Sequence, residues 1–157
     1  MSARKGAVPL FLNGFREKGV RPLFALVAVA ASAVAAGQSS TIPGLDIKVT
    51  NVERAPSASL RDCPPGTNTV SAVTRPGEQF ALVTVAFKVG PAFKPSPMKR
   101  PTISDAADKS YFTPSQFVDV GSVPEFSCTF PFRVPDGTKL KTLKIENASL
   151  DLTAVDK

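Results

Sequence analysis

The sequence predicts an all-β domain, an antiparallel sandwich of about seven strands preceded by a signal-peptide helix. Three observations predict it. Thirteen prolines fall between Pro43 and Pro135, and each removes a backbone donor and obstructs a helical turn. Apolar residues in separate stretches recur with a period of two, the mark of a half-buried strand. Turn-forming residues divide these stretches at intervals of about ten residues, the spacing of sandwiches and barrels.

The N-terminus stands apart from this pattern. Arg4, Lys5, Arg16, Lys18 and Arg21 accompany a single acid, Glu17, and precede the apolar run LFALVAVAASAVAA over 23–36. A basic start, a short apolar stretch and small residues at its end make up a secretory signal. Either Ala33-Val34-Ala35 or Val34-Ala35-Ala36 offers small residues to a signal peptidase. The run is about 14 residues, against the roughly 20 of a bilayer-spanning helix. Residues 1–38 are therefore read as a signal peptide and 41–157 as the sandwich domain. The alternatives are an uncleaved membrane anchor over 20–39 and an organellar import peptide.

Charge and composition narrow the function. The formal net charge of +6 is concentrated at the start: residues 1–40 hold five bases and one acid, leaving fourteen bases and twelve acids beyond. Phosphate binding needs bases gathered on one face, and these are scattered, so no nucleic-acid partner is expected. Histidine is absent, which removes the usual general base near neutral pH and the commonest transition-metal ligand. No enzyme activity, cofactor or metal is expected.

The strands follow in order. LDIKVTNVE alternates Leu45, Ile47 and Val49 against Asp46, Lys48 and Thr50. FALVTVAFKV over 80–89 aligns Val83, Val85, Phe87 and Val89, and its second face is only partly polar, as in a central strand. SYFTPSQFVDV over 110–120 reads as two short extended pieces broken by Pro114. EFSCTFPFRV over 125–134 is the clearest strand, with Phe126, Cys128, Phe130, Phe132 and Val134 on one face. Pro131 falls on the other face and lacks a ladder donor, which marks an edge or a bulge. The stretch PDGT over 135–138 is a turn, and LKTLKIENASLDLTAV supplies two more short strands about an ENAS bend. Together they describe an immunoglobulin-like sandwich.

Cys63 and Cys128 are the only cysteines. An exported chain meets oxidising compartments, Cys128 faces inward, and Cys63 precedes PPG in a stretch with little to bury. A structural disulfide between them is expected, closing a loop of about 66 residues for about 4 kcal/mol of stability. The alternative is two buried, unpaired thiols. A redox or nucleophilic role lacks both a CxxC pair and a histidine partner.

Other constellations are weak. Ser96 and Lys99 share the Ser-x-x-Lys spacing of acyl-transferring serine enzymes, but Pro97 and Pro101 oppose the helix that chemistry needs. Asp105, Asp108 and Asp119 lack the dense spacing and glycine of a calcium loop, so SDAADKSY is read as a solvated hairpin turn. Asn147-Ala148-Ser149 has the form of a glycosylation acceptor, meaningful in a eukaryotic secretory pathway.

Two long connections, 54–79 and 90–101, interrupt the strand pattern, and long loops tend to carry function. GPAFKPSPMKRP sets Phe93 and Met98 among Lys94, Lys99 and Arg100, an adaptable apolar and basic patch suited to a protein, an acidic polymer or anionic lipid. Its alternative is a loop whose Phe93 tucks back onto the sandwich while the bases are solvated.

From about Thr41 onward, IKVTNVE, PGEQFALVTVAFKV, TISDAADKSYFTPS and FPFRVPDGTKLKTLKI, in that order, resemble a bacterial exported immunoglobulin-like family of largely unknown function, one that includes a mycobacterial immunoprotective secreted antigen. Asp105 and Tyr111 match that family's residue before a turn and aromatic after it. The turn after Val89 lacks the family's frequent Asn-Gly, and the cysteine pair is no family constant. The resemblance implies a β-sandwich and a surface or secreted location, and carries over no catalytic residues. The expected function is a secreted or periplasmic domain that binds a protein or cell-envelope component through its loops, the partner-binding residues being Phe93, Lys94, Met98, Lys99 and Arg100. The alternative is a membrane-anchored structural accessory of an envelope complex.

Overall fold

A computed structural model describes residues 38–59, 63, 67, 71–94, 96–114, 119–120 and 123–157, all within the compact unit Ala33–Lys157. The signal peptide expected over 1–38, and its alternative as an anchor over 20–39, lie outside the described residues up to position 37.

Twelve strands are described: β1 (Ser39–Ile42), β2 (Leu45–Ala55), β3 (Ser57–Ser59), β4 (Ser71–Val73), β5 (Glu78–Val89), β6 (Ser96–Pro97), β7 (Thr102–Asp105), β8 (Ser110–Phe112), β9 (Asp119–Val120), β10 (Glu125–Pro135), β11 (Leu140–Ile145) and β12 (Ala148–Asp151). No helix occurs among the described residues. Two four-stranded antiparallel sheets, ordered β1-β2-β5-β10 and β12-β11-β7-β8, form the layers, and β3-β4 and β6-β9 are short accessory pairs. Setting β1 and the accessory pairs aside leaves seven strands, the number the spacing predicts. They divide as first, second and fifth in one sheet and seventh, sixth, third and fourth in the other, an immunoglobulin-like Greek-key arrangement.

The core follows from the alternation. Leu45, Ile47 and Val49 of β2, Val83, Val85 and Phe87 of β5, and Cys128, Phe130 and Phe132 of β10 are buried on one sheet. They meet Ile103 of β7, Leu143 and Ile145 of β11, and Leu150 of β12 from the other. Phe87 stacks on Phe126 at 4.8 Å and meets Phe130 edge-on at 6.3 Å. β5 is central, as its two-sided apolar pattern predicts. Pro131 sits in the edge strand β10 in unbroken register with Leu82, so the proline marks an edge and not a bulge.

A bulge lies elsewhere, between Val49 and Asn51 of β2. Because side chains alternate, the extra residue Thr50 reverses parity. Leu45, Ile47 and Val49 point inward before it, and Val52 and Arg54 after it, opposite Val83 and Ala81. The inward Arg54 pairs with Asp156 and donates to the Thr138 carbonyl at 2.9 Å. Asp156 also accepts the Leu140 N–H at 2.6 Å.

The described residues of the connection 54–79 include paired strand. This is the β3-β4 pair, in which Ala58 is buried opposite Ala72. Three-residue strands are too short to declare a period. Cys63 and Cys128 stand at disulfide distance and are bonded, a separation of 65 residues.

Candidate functional site

One end of the sandwich gathers the β1-β2 turn, the 90–101 connection and the β11-β12 turn. The first is built by Pro43-Gly44 between the paired Ile42 and Leu45, proline supplying the fixed φ and glycine the positive one of a type II turn. Gly44 has φ +76, and a Cβ placed there would lie 2.3 Å from the Phe93 nitrogen. Its carbonyl accepts the Gly90 N–H at 2.8 Å, and Phe93 N–H closes a turn onto Gly90 at 3.0 Å. The start of the 90–101 connection is thus pinned to the first hairpin.

A second tie holds its far side. The two-residue turn Glu146-Asn147 joins β11 to β12, with Glu146 at a positive φ of 50, a conformation unusual for a residue with a Cβ. The Glu146 carboxylate accepts the Lys99 backbone N–H. Between the two ties, β6 pairs with β9, Ser96 opposite Val120 and Pro97 opposite Asp119.

The expected partner-binding residues separate into two groups. Lys94, Lys99 and Arg100 are exposed, as an interaction patch requires. Met98 is 5% exposed and belongs to the core, and Phe93 is half-buried against it. Met98 is therefore not the exposed contact the loop composition implies: a proline-rich connection pinned at both sides turns its methionine into the core of the sandwich. Ile42, Pro43, Leu45, Phe93 and Met98, with Glu146 and Asn147 at the rim, line a recess of about 210 Å³. Gly44 and Glu146 were not singled out by sequence reasoning, although Pro-Gly and the ENAS bend mark their turns.

The remaining candidates fall elsewhere. Asp105 ends β7, and its carboxylate accepts the N–H groups of Ala107 and Lys109, both at 2.9 Å, and the Tyr111 hydroxyl at 2.8 Å. These bonds, led by Tyr111, hold the Asp105 pKa below its ordinary value. Burial and the same bond raise that of Tyr111. Asp108, at φ 61, bonds Lys141 at 2.7 Å. The carboxylates of SDAADKSY build a hairpin turn. Asn147 and Ser149 of the acceptor pattern are both exposed.

No protein-family model matches the chain, and no curated protein matches it. Among solved structures, the chain is similar to an uncharacterized β-sandwich protein from Clostridium difficile 630, with a TM-score of 0.47 and 8% identity, over 74% of this chain and 89% of that one.

Proposed function

We propose that this protein is a secreted or periplasmic, non-catalytic immunoglobulin-like domain that binds a protein or envelope partner through the sandwich end formed by 90–101. The observation that carries the reading is the twofold pinning of that connection, through Gly44 and through Glu146, which presents Lys94, Lys99 and Arg100 on a fixed frame. A preorganised loop spends little of its binding energy on ordering itself. The basic, then apolar N-terminus supports export, as does the resemblance to the family of the mycobacterial secreted antigen. A disulfide accords with an oxidising compartment.

The test is co-sedimentation of the purified domain with envelope fractions of the cells that produce it, at low and high salt. Binding that falls at least tenfold in a Lys94→Glu, Lys99→Glu, Arg100→Glu triple variant of unchanged melting temperature is the expected result. Equal sedimentation of the variant overturns the assignment of this end. Intact mass from the extracytoplasmic fraction separates the two states of the N-terminus: loss of about 35 residues fits a cleaved signal, and a full-length, detergent-dependent chain means an anchor.

A further inference from the structure

We infer that the recess at this end is a socket for one apolar side chain of an acidic peptide segment. The inference rests on the reading above and specifies the partner's chemistry.

The shape decides between a protein and a lipid surface. A domain that enters a bilayer does so with apolar side chains that protrude among its bases. Here the apolar groups are withdrawn: Leu45 and Met98 are buried, and Phe93 is half-buried. The large apolar side chains most exposed among the described residues, Val73 at 71% and Phe112 at 65%, lie outside the recess. An apolar hollow receives a group and does not insert one.

Its size fits a single residue. The recess measures about 210 Å³, and an apolar cavity of about 150 Å³ accommodates benzene. A leucine, isoleucine or phenylalanine side chain fills it. A central anchor in an apolar pocket ringed by polar groups is the common pattern of a binding hot spot.

Charge then selects what flanks the anchor. Lys94 adjoins Phe93 in sequence, and Lys99 and Arg100 follow Met98, all three exposed. The carboxylate at the rim, Glu146, already accepts the Lys99 N–H. That amide is neutral and leaves the Glu146 charge standing, but three bases against this one carboxylate still leave a positive surplus, so acidic residues beside the anchor gain attraction and faster encounter, and basic ones are repelled.

The experiment pans a random dodecapeptide display library on the disulfide-intact protein, then measures enriched peptides by fluorescence anisotropy. Expected is a consensus of one aliphatic or aromatic residue flanked by Asp or Glu. Affinity should drop at least tenfold for Asn147→Trp, which covers the recess from its rim, and for the exposed-site variant Lys94→Glu with Arg100→Glu. The charge variant keeps the test decisive if the tryptophan disturbs the turn. No enrichment, a consensus without acids, or equal affinity for the charge variant overturns the inference. So does binding to phosphatidylglycerol vesicles that the enriched peptide does not displace. Envelope binding that is lost in the triple charge reversal but kept in Asn147→Trp leaves the binding end in place and rejects the socket alone.

Discussion

Gly44 shows how much one hydrogen atom in place of a methyl group can settle. Both Gly44 and Gly77 have positive φ, but a Cβ at Gly77 would meet nothing within 4 Å, whereas at Gly44 it would strike the backbone of Ala92 and Phe93. Gly77→Ala should cost only its dihedral penalty, about 1 kcal/mol, and Gly44→Ala about 3 kcal/mol or more. Urea unfolding of the two variants checks the difference; equal losses would mean that the contact with 90–101 adds nothing. Asp105 supports a prediction of pH dependence. Its pKa is lowered in the folded protein, so its stabilisation is full above the ordinary carboxylate value and is lost as pH falls through the folded one. The melting-temperature advantage of the native protein over Asp105→Asn should hold at pH 6 and shrink below about pH 4. A constant advantage down to pH 2 would remove the carboxylate from the account.

Among the elements, β2 is the one whose outcome turns on a single inserted residue. The bulge at Thr50 brings Arg54 to the inner face, where Asp156, 3% exposed, receives it. Removing one member of such a pair strands the other without compensation. Arg54→Met should therefore destabilise by about 2–3 kcal/mol, below the range for fully buried pairs because the Arg54 side chain is 23% exposed. Arg54→Met with Asp156→Asn should cost less than the single change, since the amide oxygen still accepts the Leu140 N–H. A thermal-denaturation double-mutant cycle measures this, and strictly additive losses would show the two side chains to be uncoupled. The cores of β2, β5 and β10 were legible because each holds its alternation over several residues and so names its own inner face. The bulge was not legible, because Thr50 continues the polar register and gives no local sign that parity reverses after it. Met98 was misplaced for a related reason: without a period, composition cannot say which way a loop side chain points. The contacts of Gly44 and Glu146 with 90–101 join residues far apart in sequence, which no local pattern records.

At the scale of the whole molecule, the bond between Cys63 and Cys128 ties the segment that carries the β3-β4 pair to the core side of β10. Closing a loop of this length should contribute about 4 kcal/mol by restricting the unfolded chain. Reduction, or Cys63→Ser with Cys128→Ser, should lower the urea midpoint accordingly. Cys128→Ser alone should be the worse single change, because it sets a hydroxyl at a position with no solvent exposure. Equal stability of the oxidised and reduced forms would contradict this account.

The same bond sets how far the protein can be drawn out. When the two ends of the chain are pulled apart, the tension runs through the cross-link, and a covalent bond cannot be passed by pulling. With 65 residues between the sulfurs, roughly 220 Å of contour length, at about 3.4 Å per residue, stays locked within the loop. Pulled from its two ends, the oxidised molecule is a short tether that yields only outside 63–128, and reduction would turn it into a much longer one.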